Sequence, residues 1–190
     1  MRHRGTSLAA GDDRGSQIME FAITVPLLVV LVVGIYDFAQ AFNTKEKLNF
    51  AVKDGARFGA AQPTSDLSQS IPLSVTAIRD LVDADLIAEG IDDCGLGKIQ
   101  SVAGTLTWTA TGNCFSQNNP NSPDFTLTID RGFTVPPASN TSEPWLISTH
   151  VKITYPYKWH FQSVITLVAP GANFAGTTAL TTDAVATNQD

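Results

Sequence analysis

Apolar and polar positions divide this 190-residue chain into three textures. Residues 1–15 are polar and without periodicity. Residues 21–36 are apolar and uncharged, and apolar positions continue past Asp37 to Phe42. Further on, Phe38, Phe42, Leu48, Val52 and Phe58 recur near helical spacing, with Lys45, Glu46, Lys47, Lys53 and Asp54 between them. That is an amphipathic pattern. Residues 17–61 therefore read as one long helix. Pro26 should bend it by removing an i to i−4 hydrogen bond. Gly55 and Gly59 weaken its last turns, and the Gln-Pro-Thr-Ser stretch at 62–65 ends it.

A second helix is expected over 74–89. Ser74 is its expected N-cap, Val75, Ile78, Val82 and Leu86 mark one face, and Gly90 closes it. Asp80, Asp83, Asp85 and Glu89 make an acidic, solvated face. After Gly90 the texture becomes β-like. Residues 99–102, 105–111, 125–129, 146–155 and 177–185 are rich in Thr, Val, Ile and aromatics, and Gly, Asn and Pro clusters separate them. Residues 118–123 and 136–144 read as loops. Residues 159–168 fit a strand or a short helix, and periodicity leaves both open. Helices first and strands after predict an α+β fold with an antiparallel sheet.

The apolar run of about 16 residues spans roughly 24 Å as a helix, a little short of a hydrocarbon core of about 30 Å. Extension to Phe42 reaches full length and places Asp37 near the far end, where it could face a neighbouring helix or, more commonly, be solvated at the interface. Arg2, Arg4 and Arg14 precede the run. Orientation follows Lys and Arg, so the short N-terminus is expected in the cytoplasm and residues from about 43 onward outside the inner membrane. The four cations Lys45, Lys47, Lys53 and Arg57 on the far side oppose this, but a long domain translocates despite such charges. Ala39-Gln40-Ala41 has the A-x-A form of a conventional signal-peptidase site, and cleavage there would release a soluble domain beginning at Phe42.

Composition narrows the function classes. Net charge is −6 and the pI is about 4.9, a poor basis for binding nucleic acid, which needs a basic face. The two cysteines, Cys94 and Cys114, lie beyond the apolar run. In an exported domain an even count suggests one disulfide, closing a loop of about 20 residues. His3, His150 and His160 are too scattered for a metal signature, and Asp92-Asp93-Cys94 lacks the alternation of a calcium loop. There is no G-x-S-x-G, P-loop or dinucleotide fingerprint. Asn140-Thr141-Ser142 fits a glycosylation sequon but carries little weight. No enzyme and no cofactor is expected. Trp108, Trp145, Tyr155, Tyr157 and Trp159 fit a recognition surface or, more commonly, a core under the sheet.

The order of features around the apolar run carries more. Ordinary signal peptides are cut after their apolar run. Here Arg14-Gly15-Ser16-Gln17-Ile18-Met19-Glu20-Phe21 puts a small residue with basic residues upstream before it. That order resembles a type IV prepilin-like signal, cut on the cytoplasmic side after Gly15, with the helix retained. The acid-aromatic pair Glu20-Phe21, the early Pro26 and Gly34-Ile35-Tyr36-Asp37-Phe38 together resemble the N-terminal signature of TadE-like proteins, minor pseudopilins of the tight-adherence (Flp) pilus machinery. Asp54-Gly55-Ala56-Arg57-Phe58-Gly59-Ala60 is similar to a small-residue segment that often follows in that family. Beyond residue 60 the similarity is architectural only.

The resemblance implies a leader of residues 1–15 removed by a prepilin peptidase, an assembly helix over 16–42, and a pilin-like extracytoplasmic domain over 43–190. Its partners would be the inner membrane, other pseudopilins and pilus assembly proteins. Glu20 would pair with the free amine of Ser16 in the same or a neighbouring subunit, since an unpaired charge in low dielectric is costly. Gly15 would leave a peptidase cleft unobstructed, and Phe21, Pro26 and Asp37 would belong to the assembly helix. An uncleaved signal-anchored binding module and a secreted binding domain cut after Ala41 are the alternatives.

Overall fold

The structure is a computed structural model that describes residues 13–114, 125–136, 146–160 and 176–189. Its elements run α1 (Asp13–Ala60), α2 (Leu73–Ala88), β1 (Gln100–Ser101), β2 (Thr107–Gly112), β3 (Phe125–Val135), β4 (Leu146–Lys158) and β5 (Thr177–Thr187). The fold is α+β, as the patterning predicts, and every described strand overlaps a segment of β-like texture, though β3 runs six residues past its expected end at 129 and β4 three past 155. The loops expected at 118–123 and, past Pro136, at 137–144 lie outside the described residues, as do Trp145 and nearly all of 159–168.

The described residues form two compact units. One holds α1 as far as Phe38 together with His160; the other holds Ala39–Trp159 and the chain from residue 176. In the first unit the apolar side chains of α1 from Ile18 to Ile35 are largely exposed among the described residues. Ile18, Phe21, Ile23, Leu27, Leu31 and Ile35 are all more than half exposed. The helix continues through Pro26, and the chain is already helical at Asp13, where the described residues begin, four residues before the expected start.

In the second unit the strands form one antiparallel meander in the order β1-β2-β3-β4-β5. Alternation assigns the two faces. Trp108, Ala110, Phe125, Leu127, Ile129, Val151 and Ile153 point into the core, against Leu48, Ala51, Val52 and Ala56 of α1 and Val75, Ile78, Val82 and Leu86 of α2. The other face is rich in threonine. Thr111, Thr126, Thr154 and Thr181 stand in register as one row across four strands. Such rows suit β-branched side chains on a pleated surface.

Gly55 and Gly59 explain how α1 approaches its neighbours. A Cβ on Gly55 would lie 2.6 Å from Val82 Cγ2; one on Gly59 would lie 2.7 Å from Thr149 Cγ2 and 2.8 Å from Ile78 Cδ1. The two glycines, one turn apart, make a bare stripe that seats α1 on α2 and β4. In the sequence they read only as helix-weakening positions; the close approach supplies their use.

The ends of α2 differ in part from expectation. Its N-cap is Pro72, whose side chain makes no cap hydrogen bond. Ser74 lies inside the first turn, and Asp66 caps from the preceding loop: its carboxylate accepts from Ser74 N at 2.8 Å and Ser74 Oγ at 3.0 Å. Pro suits the entry because it has no N–H to leave unsatisfied. At the other end Gly90 takes φ +71°. Gly90 N donates to Ile87 O and Ile91 N to Leu86 O, the paired bonds of a Schellman cap. Lys47 of α1 adds a cation there, donating to Glu89 O at 2.6 Å.

Candidate functional site

The residues singled out as assembly determinants all lie on α1. Gly15 and Ser16 are helical, and Glu20 stands four positions after Ser16, one turn along the same helix. Glu20 and Phe21 are exposed, and Glu20 has no ion-pair partner among the described residues. Thr24 Oγ1 donates to Glu20 O at 2.7 Å, a bond back along the helix two residues before Pro26. Asp37 lies about 26 Å further along the axis, so the helix does not bring the two acids together. The helix meets the length and apolarity of a single membrane span: its most apolar 18-residue window has mean hydropathy 2.6 and no buried residue. One such helix is compatible with a single-pass anchor.

Asp37 departs from the expected interfacial solvation. It is 1% exposed, and His160 Nδ1 stands 3.4 Å from its Oδ1. A residue 123 positions later in the chain, invisible to local patterning, supplies that neighbour. A carboxylate inside an apolar helix is costly unless another group meets it.

Cys94 and Cys114 are joined in a disulfide, their Cα atoms 4.4 Å apart. Asp92 and Asp93 shape the turn that carries Cys94. Asp92 Oδ1 accepts from Cys94 N at 2.9 Å, Asp93 Oδ1 accepts from Gly95 N, and Cys94 takes φ 56°. Gly112 packs against this turn, with room for no Cβ: one would lie 2.9 Å from the carbonyls of Asp93 and Cys94. Among the described residues no three His, Cys, Asp or Glu side chains are placed to hold a metal.

The aromatic residues considered as a recognition surface are mostly structural. Trp108 is buried and donates its indole N–H to Ser70 O at 3.0 Å. Tyr155 meets Phe125 edge-on, and the buried Tyr157 meets Trp159 in the same way. His150 pairs with Asp183 across β4 and β5, Nε2 to Oδ2 3.1 Å, on the threonine-rich face.

The acidic face of α2 is only partly solvated. Burial, then the charge of Asp93, push the Asp83 carboxyl above the ordinary carboxylate range, against a lowering by Arg79. Burial, then Asp54 and Glu89, raise Asp85 in the same sense. Sequence reading also passed over Arg131. It is fully buried where β3 slips register between Asp130 and Phe133, and its Nη2 donates to Gln62 O at 2.9 Å, tying the strand to the end of α1. Gly132 next to it was the available signal, because a glycine inside a strand often marks a bulge.

An α+β domain and one long apolar helix whose length and composition are compatible with a single-pass membrane anchor define the class. Residues 15–57 match the model of the family described as TadE-like protein, in agreement with the resemblance read from the sequence. The match ends inside α1 and includes none of α2 or the sheet. No functionally curated protein and no solved structure matches the chain.

Proposed function

We propose that this chain is a non-enzymatic minor pseudopilin that takes part in assembling a tight-adherence pilus. The observation that carries the reading is the TadE-like match over 15–57, which falls on the long apolar helix. A prepilin-type peptidase removes residues 1–15. The helix stays in the inner membrane or enters a short pseudopilus, and the domain after it lies outside that membrane.

The backbone supports this reading at two places. The exposed Glu20 is one turn from Ser16 and within reach of a new amine there, on the same or a neighbouring subunit. Cleavage after Ala41 would instead cut an unbroken helix at a buried residue of the second unit, an unfavourable substrate.

N-terminal sequencing of the mature protein from its native membranes tests the proposal. A start at Ser16 is expected. An intact Met1 would indicate a signal-anchored module, and a start at Phe42 a secreted domain; either overturns the pseudopilin reading.

A further inference from the structure

The two edges of the sheet are unequal. β1 has two residues, too short to template another strand. β5 has eleven, pairs with β4 without a register slip, and contains neither Lys nor Pro. Among the described residues β4 is its one strand neighbour. Natural edges are usually shortened, bulged or charged against further pairing; Asp183 is the one charged residue on this edge.

The ladder fixes which amides face outward. Trp159 N donates to Gly176 O and Asn188 N to Ile147 O at the two ends of the β4–β5 register. In an antiparallel pair the hydrogen-bonded positions alternate. Even-numbered residues of β5 therefore bond to β4, and Thr181, Asp183 and Val185 turn their N–H and C=O to the free edge.

A groove of about 310 Å³ runs along that edge. Lys53, Ala56 and Arg57 of α1 form one wall and residues 183–186 of β5 the other. Four consecutive strand residues line it although their side chains alternate between faces, so the groove borders the strand's edge. The Asn49–Thr182 and Ala60–Gln189 hydrogen bonds set α1 beside β5, running in the same direction. Lys53 and Arg57 have no ion-pair partner among the described residues, whereas Asp183 is paired with His150.

We propose that the β5 edge and the α1 groove together bind an extended protein segment by strand addition, and that the segment carries two acidic side chains at alternate positions. Strand addition uses the outward amides of β5 for main-chain hydrogen bonds and reads alternate side chains through neighbouring pockets. Lys53 and Arg57, one turn apart, are separated by about 6 Å along α1. Alternate residues of an added strand are separated by about 6.5 Å on one face. An acid-x-acid segment therefore meets both cations at once. A second copy of β5 fits less well, because its one acid is Asp183 and it carries no acid-x-acid pair to meet both cations. The groove lies wholly in the second unit and does not depend on cleavage at Gly15.

The test uses the full chain in detergent and two end-blocked, fluorescein-labelled heptapeptides of threonine and valine. One carries glutamate at its third and fifth positions, the other lysine. Fluorescence anisotropy should show saturable binding of the glutamate peptide and at least about tenfold weaker binding of the lysine peptide. Val185→Pro removes one outward N–H and leaves the bonds to β4 in place; it should weaken binding about tenfold. The double variant Lys53→Glu with Arg57→Glu should lose or reverse the preference for acid. Hydrogen exchange on the wild type should show new protection at Thr181, Asp183 and Val185 with the glutamate peptide, a readout that stands even if Val185→Pro does not fold. Absence of binding, equal binding of both peptides, or binding without protection of those three amides overturns the proposal. Self-association that Val185→Pro disperses, with no peptide binding, assigns the edge to a second copy and overturns it equally.

Discussion

Gly55→Ala isolates the packing logic of the second unit. On an exposed helix the change would stabilise by about 1 kcal/mol, because Ala has the higher helix propensity. Here the new Cβ would sit 2.6 Å from Val82 Cγ2, with Ile78 Cγ2 and Val151 Cγ1 each at 3.7 Å. Ordinary carbon contacts begin near 3.5 Å, so the helices must part by about 1 Å or Val82 must turn. Val82 is fully buried and β-branched in a helix, where one rotamer dominates. Overpacking of this kind costs about 1–3 kcal/mol. Set against the propensity gain, Gly55→Ala should destabilise by up to about 2 kcal/mol, lowering Tm by up to about 8 °C in a chain of this size. Thermal unfolding of the full chain in detergent, followed by circular dichroism, measures it. Val82→Ala removes the clashing methyl, so the double variant should be more stable than the two single losses add up to. A Gly55→Ala protein as stable as wild type or more so, with additive behaviour in the double variant, would refute the close-approach argument.

Four other outcomes follow from the same structure. Glu20→Ala should reduce pilus assembly while leaving the unfolding of the second unit unchanged; normal piliation, scored by electron microscopy, would remove the ion-pair role. Cys94→Ser should cost roughly 3 kcal/mol through the 20-residue loop, read as a lower Tm that matches wild type under reducing conditions. Asp83 and Asp85 have raised folded pKa values, so the native state takes up their protons before the unfolded chain does. Their contribution is fully present below the ordinary value of 3.8 and is lost as pH rises through the folded values. Asp83→Asn with Asp85→Asn should therefore raise Tm at pH 7 more than at pH 4, and an equal shift at both would count against it. Arg131→Ala should cost about 2–4 kcal/mol by emptying a buried site and removing a charge-assisted bond to Gln62 O, measured by thermal unfolding.

Much of this architecture is legible in short-range pattern. The apolar run is compatible with a membrane span by length and composition, which the sequence alone fixes. Strand positions follow from β-branched and aromatic alternation broken by Gly, Asn and Pro, and the stop of α2 follows from one glycine able to take positive φ. The family signature is likewise local, confined to one helix, and so was readable before any tertiary contact was known. Two cysteines leave one intramolecular pairing.

Tertiary structure decided whatever depends on partners remote in the chain. Ser74 has the chemistry of an N-cap, yet Asp66 and Pro72 take that end of α2, because the loop returns a carboxylate to the first turn. Gly55 and Gly59 look like helix defects until Val82, Ile78 and Thr149 are set against them. Asp37 meets His160, Trp108 meets Ser70 and Arg131 meets Gln62 across separations of 123, 38 and 69 residues. Among the described residues the five-strand order leaves β5, and no other long strand, on an edge beside two cations without ion-pair partners. A sequence specifies its own periodicities because neighbours along the chain share backbone geometry. Which faces meet is set by burial and by the satisfaction of polar groups over the whole domain, and that is where the tether, the packing seam and the open edge of this protein were determined.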